Sequence, residues 1–295
     1  FGTEGSGAVV RGMTQTRTSF NGRDAFSANS GRGLSFEDVP PELAAGVNVY
    51  KNQSADLVEG GIGGTIDLRT RLPFDQDGQI MAFTAEANYG DIAEESSGTV
   101  SALYSNRWKI ASGEIGLLIN LSDANVISMS QGVQVDALTP QDNGTIVPQG
   151  IGIRQKADDR ERQGTTLALQ WGSADDTMLA TAQFIRSDSS LSWTERSIDT
   201  DEPSSNYVTL PDSAFTFNGD VQGAPLFESG VLMSDAGWRG DGSAREPGGV
   251  FGIKNVSETR QRIDENVVDD FSFNFKYSPN DSLDIELDLQ HVKAT

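Results

Sequence analysis

The sequence contains no cysteine and only one histidine, His291, among its 295 residues. The absence of cysteine excludes disulfides, zinc–thiolate sites and thiol nucleophiles. A single histidine cannot form a multi-histidine metal site, and its position on or beside a predicted strand excludes a Ser-His-Asp arrangement within this chain. His291 is therefore interpreted as an exposed residue at a strand end.

Basic residues are also scarce. The chain has 22 Lys and Arg against 43 Asp and Glu, which gives a formal net charge of −21. Because phosphate binding needs clustered Lys and Arg, we expect no nucleic-acid partner. The acid excess is greatest between Asp188 and Asp270, which favours a solvated surface segment there.

Long hydrophobic runs are absent as well. No run of about eighteen apolar residues occurs, which excludes a helical membrane span, and no signal peptide is present at Phe1. If the protein is exported, we expect the chain to begin after its true start. The hydrophobic fraction of 36% is low for a compact core of this size. A barrel with a polar inner face needs no such core.

The acidic residues suggest two kinds of site, and neither is favoured. Adjacent acids on a strand point to opposite faces, so they lack the facing carboxyl groups of a glycosidase. These pairs are Asp158-Asp159, Asp175-Asp176 and Asp269-Asp270. A second acidic group lacks the glycine and terminal glutamate of an EF-hand, although its oxygens suit calcium. This group comprises Asp199, Asp201 and Glu202. We expect no enzymatic activity, no resident metal site and no cofactor.

A short helix is predicted at Phe36–Ala45. Ser35 is a suitable cap, and acidic residues in the first turn suit the helix dipole. Gly46 is expected to end this helix, and Val47–Tyr50 has the pattern of a strand.

The glycine cluster Gly60–Gly64 is predicted to form a backbone turn that leads into the alternating strand Thr65–Thr70. Dense glycines also occur in phosphate-binding loops. Such loops lie between a buried strand and a helix that carries Lys-Ser/Thr, whereas these glycines precede a polar strand. A turn is therefore preferred to a nucleotide site.

Seven strands are predicted downstream from alternation of apolar and polar residues with a period of two. They are Met81–Tyr89, Val100–Trp108, Ile115–Leu121, Thr165–Trp171, Met178–Phe184, Phe271–Tyr277 and Leu283–Leu289. Short turns alternate with longer connections, the longest being near 122–163 and 187–269. A soluble sandwich also alternates, but regular alternation of short and long connections is typical of a barrel with tight periplasmic turns and large external loops.

Aromatic residues at the strand ends agree with this interpretation. Trp108, Trp171 and Tyr277 lie beside the short turns, and Tyr89 and Phe184 lie at the opposite ends. Two such rows resemble the aromatic girdles of an outer-membrane barrel.

Several segments, in this order, resemble TonB-dependent outer-membrane receptors. They are Val9-Val10-Arg11-Gly12-Met13, Asn21-Gly22-Arg23, the strand, glycine turn and strand that end near Pro73, and Ala102–Trp108. The resemblance implies a membrane all-β fold with a transmembrane antiparallel β-barrel and an N-terminal α+β plug domain. The family barrel has twenty-two strands. With about seven strands present, we expect the chain to be incomplete at both ends.

The resemblance also implies a domain organisation and a function. Residues 1–73 correspond to the C-terminal part of the plug, and residues 74–295 to the N-terminal part of the barrel. The implied function is active uptake of a siderophore-iron complex, cobalamin or a glycan across the outer membrane of a Gram-negative bacterium. The implied partners are TonB with its inner-membrane energising complex, the small-molecule or oligosaccharide ligand, and outer-membrane lipid. The alternative is a secreted or soluble all-β carbohydrate-binding protein without transport activity.

Two sets of site residues follow from the resemblance. The plug apices, where ligand is expected to bind, map to Gln15, Thr16, Arg17, Phe26, Ser27 and Asn29. Plug arginines are expected to pair with carboxylates on the polar face of the barrel. The residues of this second set are Arg11, Arg69, Glu86, Glu114, Asp284 and Glu286.

Overall fold

The computed structural model of the chain describes residues 9–24, 43–52, 54, 57, 59–135, 137–140, 146–148, 150–201, 207–208, 216–221, 223–229, 233–234 and 254–295. These residues are almost entirely β-sheet. Within them, no helix has the length and apolar content that crossing a membrane requires.

Four strands near the N-terminus form a small mixed sheet. They are β1 (Thr16–Phe20), β2 (Arg23–Asp24), β3 (Ala44–Tyr50) and β4 (Gly64–Thr70), in the order β2-β1-β4-β3. Strands β1 and β4 run parallel, while β2 and β3 are antiparallel to their neighbours. The predicted strands at Val47–Tyr50 and Thr65–Thr70 are confirmed.

The glycine turn before β4 is also confirmed. Gly60 and Gly64 have φ values of 132° and 146°, a region that side chains other than glycine rarely adopt. A Cβ atom on Gly64 would lie 2.7 Å from the carbonyl oxygen of Tyr50 and 3.2 Å from Cγ1 of Val10. Glycine is therefore needed here both for backbone conformation and for close packing.

The predicted end of the helix Phe36–Ala45 is wrong. Ala44 and Ala45 lie in β3, where Ala44 pairs with Thr70, and Gly46 continues the strand opposite Arg69. Pairing with β4 satisfies this backbone, so tertiary context outweighs local helix preference. Residues 35–42 lie outside the described part of the chain.

A 3-10 turn at Pro73–Asp75 joins the small sheet to the remaining strands. The strands that follow are β5 (Ile80–Gly90), β6 (Glu95–Ile110), β7 (Gly113–Val135), β8 (Leu138–Pro140), β9 (Ile146–Pro148), β10 (Gly150–Ser173), β11 (Met178–Asp201), β12 (Tyr207–Val208), β13 (Thr216–Val221), β14 (Ala224–Ser229), β15 (Met233–Ser234), β16 (Lys254–Asn280) and β17 (Leu283–Ala294).

Seven of these strands form one large sheet in the order β17-β16-β11-β10-β7-β6-β5. Each of the seven predicted strands lies within one of them, so the number and order of these strands are confirmed. The remaining strands form a pair, β12-β15, and a four-stranded sheet, β13-β14-β9-β8. In the large sheet β5 and β17 are the edges.

The segments expected to be long loops contain much more strand than predicted. In 122–163, β7 continues to Val135 and β10 begins at Gly150; in 187–269, β11 continues to Asp201 and β16 begins at Lys254. The extension of β11 carries polar residues on both faces and lacks the period-two apolar signal on which the prediction depended. In β7, Asp123 and Asn125 interrupt that signal before it returns at Ile127. Backbone pairing between neighbours continues the sheet through both segments.

The chain divides into two compact units. The first comprises Phe1–Ser128, Asp158–Ser192 and Ile263–Thr295, and the second comprises Met129–Ala157 and Trp193–Arg262. The small sheet and the regularly alternating part of the large sheet both belong to the first unit. The predicted domain boundary after residue 73 falls inside this unit and stays a prediction.

One face of the large sheet is apolar and exposed in the first unit. Exposure of its larger side chains ranges from 41% for Trp108 to 74% for Phe83. Other members of this face are Met81, Val100, Leu121, Leu167, Leu169, Phe271, Ile285, Leu287 and Leu289.

The opposite face of the same sheet is mostly polar; it is exposed on the edge strands β5 and β17 and buried in the strands between them. Leu118 and Ala168 are buried apolar residues on this face. Its buried polar residues, each less than 9% exposed, include Asn120, Ser122, Thr166, Gln170, Gln183, Ser187 and Ser272. The usual arrangement of a globular protein, with apolar residues inside and polar residues outside, is thus inverted in these strands.

Among the described residues, a small apolar core lies between the two sheets. Phe20, Leu43 and Leu68 of the N-terminal region pack with Ile185 of β11. Ile185 lies on the polar face of the large sheet and is 7% exposed. Polar contacts join the same two sheets beside this core.

Candidate functional site

The candidate site is the polar contact between the small sheet and the large sheet. Asn21 lies in the turn between β1 and β2, with φ of 52°. Its Nδ2 donates to Oγ1 of Thr70 at 2.8 Å and to Oε1 of Gln183 at 2.9 Å. Nε2 of Gln183 donates to the same threonine oxygen at 2.7 Å. This amide network joins β4 to β11.

A buried carboxylate stabilises the turn that carries Asn21. One carboxylate oxygen of Asp67, on β4, accepts hydrogen bonds from Oγ of Ser19 and from the backbone N–H of Gly22, both at 2.7 Å. The backbone N–H of Asn21 donates to the carbonyl of Leu68 at 2.8 Å. These bonds hold the turn in a left-handed conformation that asparagine and glycine adopt most readily.

A bidentate ion pair forms the second connection between the sheets. Nε and Nη2 of Arg23 donate to the two carboxylate oxygens of Asp288 on β17, at 2.6 and 2.7 Å. Asn274 also donates to this carboxylate at 2.9 Å. Nearby, Nε2 of Gln290 donates to the carbonyl of Asp24 at 3.3 Å and to Asp270 at 2.8 Å.

The residues predicted to pair across the sheets have other contacts. Arg11 donates to Asn52 at 3.2 Å, and Glu114 accepts from Arg107 at 2.5 Å. Glu286 lies 3.4 Å from Nζ of Lys276. Arg69, Glu86 and Asp284 are exposed. The structure instead pairs Arg23, an arginine of the small sheet that was not predicted, with Asp288 on the polar face of the large sheet.

The predicted plug apices are partly described. Arg17 is engaged within the small sheet, by the carbonyl of Glu59 and the carboxylate of Asp24. The carbonyl of Gln15 accepts from the N–H of Gly63 at 3.0 Å, and Thr16 begins β1. Phe26, Ser27 and Asn29 lie outside the described residues. Their role in ligand binding stays a prediction.

The linker between the two sheets is fixed by close packing on glycines. A Cβ atom on Gly116 of β7 would lie 2.5 Å from Cβ of Pro73 and 2.8 Å from Cε1 of Phe74. Gly172 of β10 lies beneath the same aromatic ring, and Arg107 stacks over it at 4.5 Å. The backbone N–H of Phe74 donates to Gln170 at 2.8 Å.

The second unit carries a separate set of charged contacts. Lys156 stacks on Trp193 at 5.3 Å, and Arg154 lies 3.8 Å from Asp199. Asp199, one of the acids considered for calcium, also accepts from Oγ of Ser197 at 2.7 Å. In the described part of the chain, no group of three or more His, Cys, Asp or Glu residues is placed to hold a metal ion.

Sequence reasoning missed Gln183 and Asp288 as contact residues. Both lie on the polar face of strands that were predicted correctly, so their orientation was available from alternation. Their partners were not, because Asn21, in the turn before β2, and Arg23, the first residue of β2, lie far away in sequence. A scan against models of protein families found no match, and a search of curated proteins found none either.

Proposed function

We propose that this chain is part of a TonB-dependent outer-membrane receptor. In this proposal the large sheet supplies the first strands of a transmembrane β-barrel, and the small sheet belongs to the plug. The observation that carries the proposal is the inversion of the large sheet, with exposed apolar residues on one face and buried polar residues on the other. Lipid is the solvent that suits this exposed face.

The dimensions of the apolar face support the same proposal. On β17 the apolar set runs from Leu283 to Leu289, which corresponds to about 20 Å at the rise of an antiparallel strand. An outer-membrane barrel carries an apolar band about 25 Å tall. Exposed apolar residues occur on this face from β5 to β17, whereas monomeric soluble proteins usually expose contiguous apolar patches of only a few hundred Å².

The polar contact between the sheets supports a transport role. Its main bonds are the amide network of Asn21, Thr70 and Gln183 and the ion pair of Arg23 and Asp288. A hydrogen bond between protein groups that can be replaced by one to water contributes only about 1 kcal/mol net. A plug held in this way is stable at rest, yet can be displaced when TonB pulls on it.

The proposed activity is energy-dependent uptake of a scarce ligand. The ligand is a siderophore-iron complex, cobalamin or a glycan, captured on the outer side and released to the periplasm after TonB acts on the plug. Binding and gating in this mechanism require no catalytic residue. The proposed location is the outer membrane of a Gram-negative bacterium.

Fractionation of the native host tests the proposal. We expect the protein in the outer-membrane fraction, soluble only with detergent, and we expect deletion of its gene to abolish growth on one scarce iron source, cobalamin or glycan. Deletion of TonB should have the same effect on that nutrient. Recovery from the aqueous fraction as a monodisperse protein without detergent would instead support the soluble carbohydrate-binding alternative.

A further inference from the structure

A cavity of about 340 Å³ lies beside the linker that joins the two sheets, within the first unit. Its walls come from the ends of β3 and β4, from the linker, and from the beginning of the large sheet. The lining residues are Ala45, Arg69, Arg71, Leu72, Asp75, Gln76, Ile80, Leu103, Ser105 and Leu118. The volume suits a small organic molecule.

The cavity contains two arginines, Arg69 and Arg71. Both are exposed, and among the described residues neither guanidinium has a hydrogen-bond or ion-pair partner. The cavity has one carboxylate, that of Asp75, which accepts a hydrogen bond from the backbone N–H of Leu72 at 2.8 Å. The formal charge of the lining is therefore +1, in a chain whose net charge is −21.

Two acidic residues near the cavity, Asp77 and Glu114, form ion pairs with a different arginine, Arg107. Nη1 of Arg107 lies 3.1 Å from Asp77, and Nη2 lies 2.5 Å from Glu114. Arg107 thus has two carboxylate partners, while Arg69 and Arg71 have none in the described part of the chain. The two unpaired guanidiniums leave free donors in the fork geometry that matches carboxylate and phosphate oxygens.

The cavity lining also includes aliphatic residues. Leu72, Ile80 and Leu103 are half-buried and form the apolar wall, whereas Leu118, at 2% exposure, offers almost no free surface. A ligand that combines an oxyanion with an aliphatic body would contact both the arginines and this wall. Inorganic phosphate would use only the arginines, and a neutral aliphatic molecule would use only the leucines and isoleucine.

We propose that this cavity binds a small organic carboxylate, whose oxyanion is held by Arg69 and Arg71 and whose aliphatic part contacts the apolar wall. The proposal does not rest on the transport function, because every residue it uses belongs to the cavity. The bound anion would also contact Arg71 and Gln76 of the linker. Occupancy is therefore expected to restrain the segment that connects the two sheets.

Calorimetric titration of the purified protein with hexanoate, hexanamide and inorganic phosphate tests this proposal. We expect hexanoate to bind about tenfold more tightly than hexanamide, because each charge-assisted hydrogen bond contributes more than a neutral one. We expect phosphate to bind at least about fivefold more weakly than hexanoate, because it buries no apolar surface. Equal affinities within either pair would overturn the proposal.

Variants locate the site. Arg69→Gln and Arg71→Gln should each weaken hexanoate binding about tenfold, which corresponds to the loss of one charge-assisted contact. Gln76→Glu keeps both arginines and adds a carboxylate to the cavity lining. This variant should also bind hexanoate more weakly. Arg186→Gln is the matched control, because Arg186 is an exposed arginine on β11 that pairs with Asp269 outside the cavity.

Hydrogen exchange provides a second readout that needs no variant. Saturating hexanoate should slow amide exchange in residues 71–76 and leave the turn at 281–282 unchanged. Unchanged exchange in the linker, or hexanoate affinity unaffected by Arg69→Gln, Arg71→Gln and Gln76→Glu, would refute the site. Neither result would alter the fractionation outcome, so failure here is distinct from failure of the transport proposal.

Discussion

Arg23 and Asp288 are separated by 265 positions in the chain and form a bidentate ion pair at 2.6 and 2.7 Å. Their side chains are 17% and 39% exposed, so water screens the pair only in part. The pair joins β2 of the small sheet, at its first residue, to the edge strand β17 of the large sheet. It is the clearest single contact on which the proposed plug arrangement depends.

A double-mutant cycle measures this pair. Arg23→Gln and Asp288→Asn should each lower the free energy of unfolding, and the coupling between them should be about 1 kcal/mol, as for a partly exposed pair of good geometry. Denaturant unfolding followed by tryptophan fluorescence supplies the measurement. The pair Arg186–Asp269 is the control, because its arginine is 46% exposed and its shortest N–O distance is 3.2 Å. Its coupling is expected to stay below about 0.5 kcal/mol. A coupling near zero for Arg23–Asp288 would show that the contact contributes nothing.

Loss of the Gln183 amide should destabilise the contact between the sheets. Gln183→Ala leaves Asn21 without one acceptor and Thr70 without one donor in a site where Gln183 is 3% exposed. The expected loss is about 1–3 kcal/mol in the free energy of unfolding. Gln163→Ala removes an exposed amide that bonds to Asp123 at 2.9 Å, and its effect should stay within about 0.5 kcal/mol. Equal effects would contradict the buried network.

Because the linker packs closely on Gly116 of β7, adding one methyl group at this glycine should lower the stability of the protein. Gly116→Ala places a Cβ atom 2.5 Å from that of Pro73, so the linker must shift, at an expected cost of about 1–3 kcal/mol. Gly132→Ala on the same strand is the control, because its Cβ would meet no atom within 4 Å. Thermal unfolding of both variants checks this difference. A tolerated Gly116→Ala would mean that Pro73 and Phe74 are not tightly held.

If the apolar face lies in a bilayer, the loss of folding free energy caused by an introduced arginine should depend on how far that residue lies from the bilayer surface. Leu283 and Leu287 on β17 are 45% and 49% exposed, so a protein in water should tolerate arginine equally at both. In lipid, Leu287→Arg should cost about 2–4 kcal/mol near mid-strand, and Leu283→Arg beside the turn about 0–1 kcal/mol. Reversible unfolding from lipid vesicles measures both. Indistinguishable costs would argue against insertion of β17 into a bilayer.

The turn between β10 and β11 predicts a pH dependence. Hydrogen bonds from the Ser173 and Thr177 hydroxyls and from the Thr177 backbone lower the pKa of Asp175 below the ordinary value of an aspartate. Because the folded pKa is depressed, this contribution to stability is fully present above the unfolded value and is lost as pH falls through the folded one. The melting temperature difference between the protein and Asp175→Asn should therefore shrink below about pH 4. A difference that is constant from neutral to acidic pH would exclude this role for Asp175.

Local patterns in the chain predicted much of the large sheet. Alternation in segments such as Phe271–Tyr277 and Leu283–Leu289 identified the strands, and the residues between them identified the tight turns. The same alternation indicated which side chains share a face. It failed in the extension toward Asp201, where polar residues occupy both faces, and it was interrupted by Asp123 and Asn125 before the extension toward Val135.

The helix predicted to end at Ala45 shows the other limit of local reasoning. Acidic residues, a cap and a following glycine favoured a helix, but Ala44 and Gly46 pair with Thr70 and Arg69 at the end of β4. Short segments with weak preferences adopt the structure that their neighbours complete. The neighbour here lies some twenty residues further along the chain.

By itself, the sequence determined the strand positions, the glycine turn before β4 and the division of the large sheet into an apolar and a polar face. These properties depend on residues a few positions apart, which the backbone geometry of a strand or turn relates directly. Only the tertiary structure decided that Asp288 pairs with Arg23, that Ile185 packs against Phe20 and Leu68, and that Arg69 and Arg71 line a cavity without acid partners. Such contacts depend on how separate sheets pack together, and local pattern carries no information about that packing.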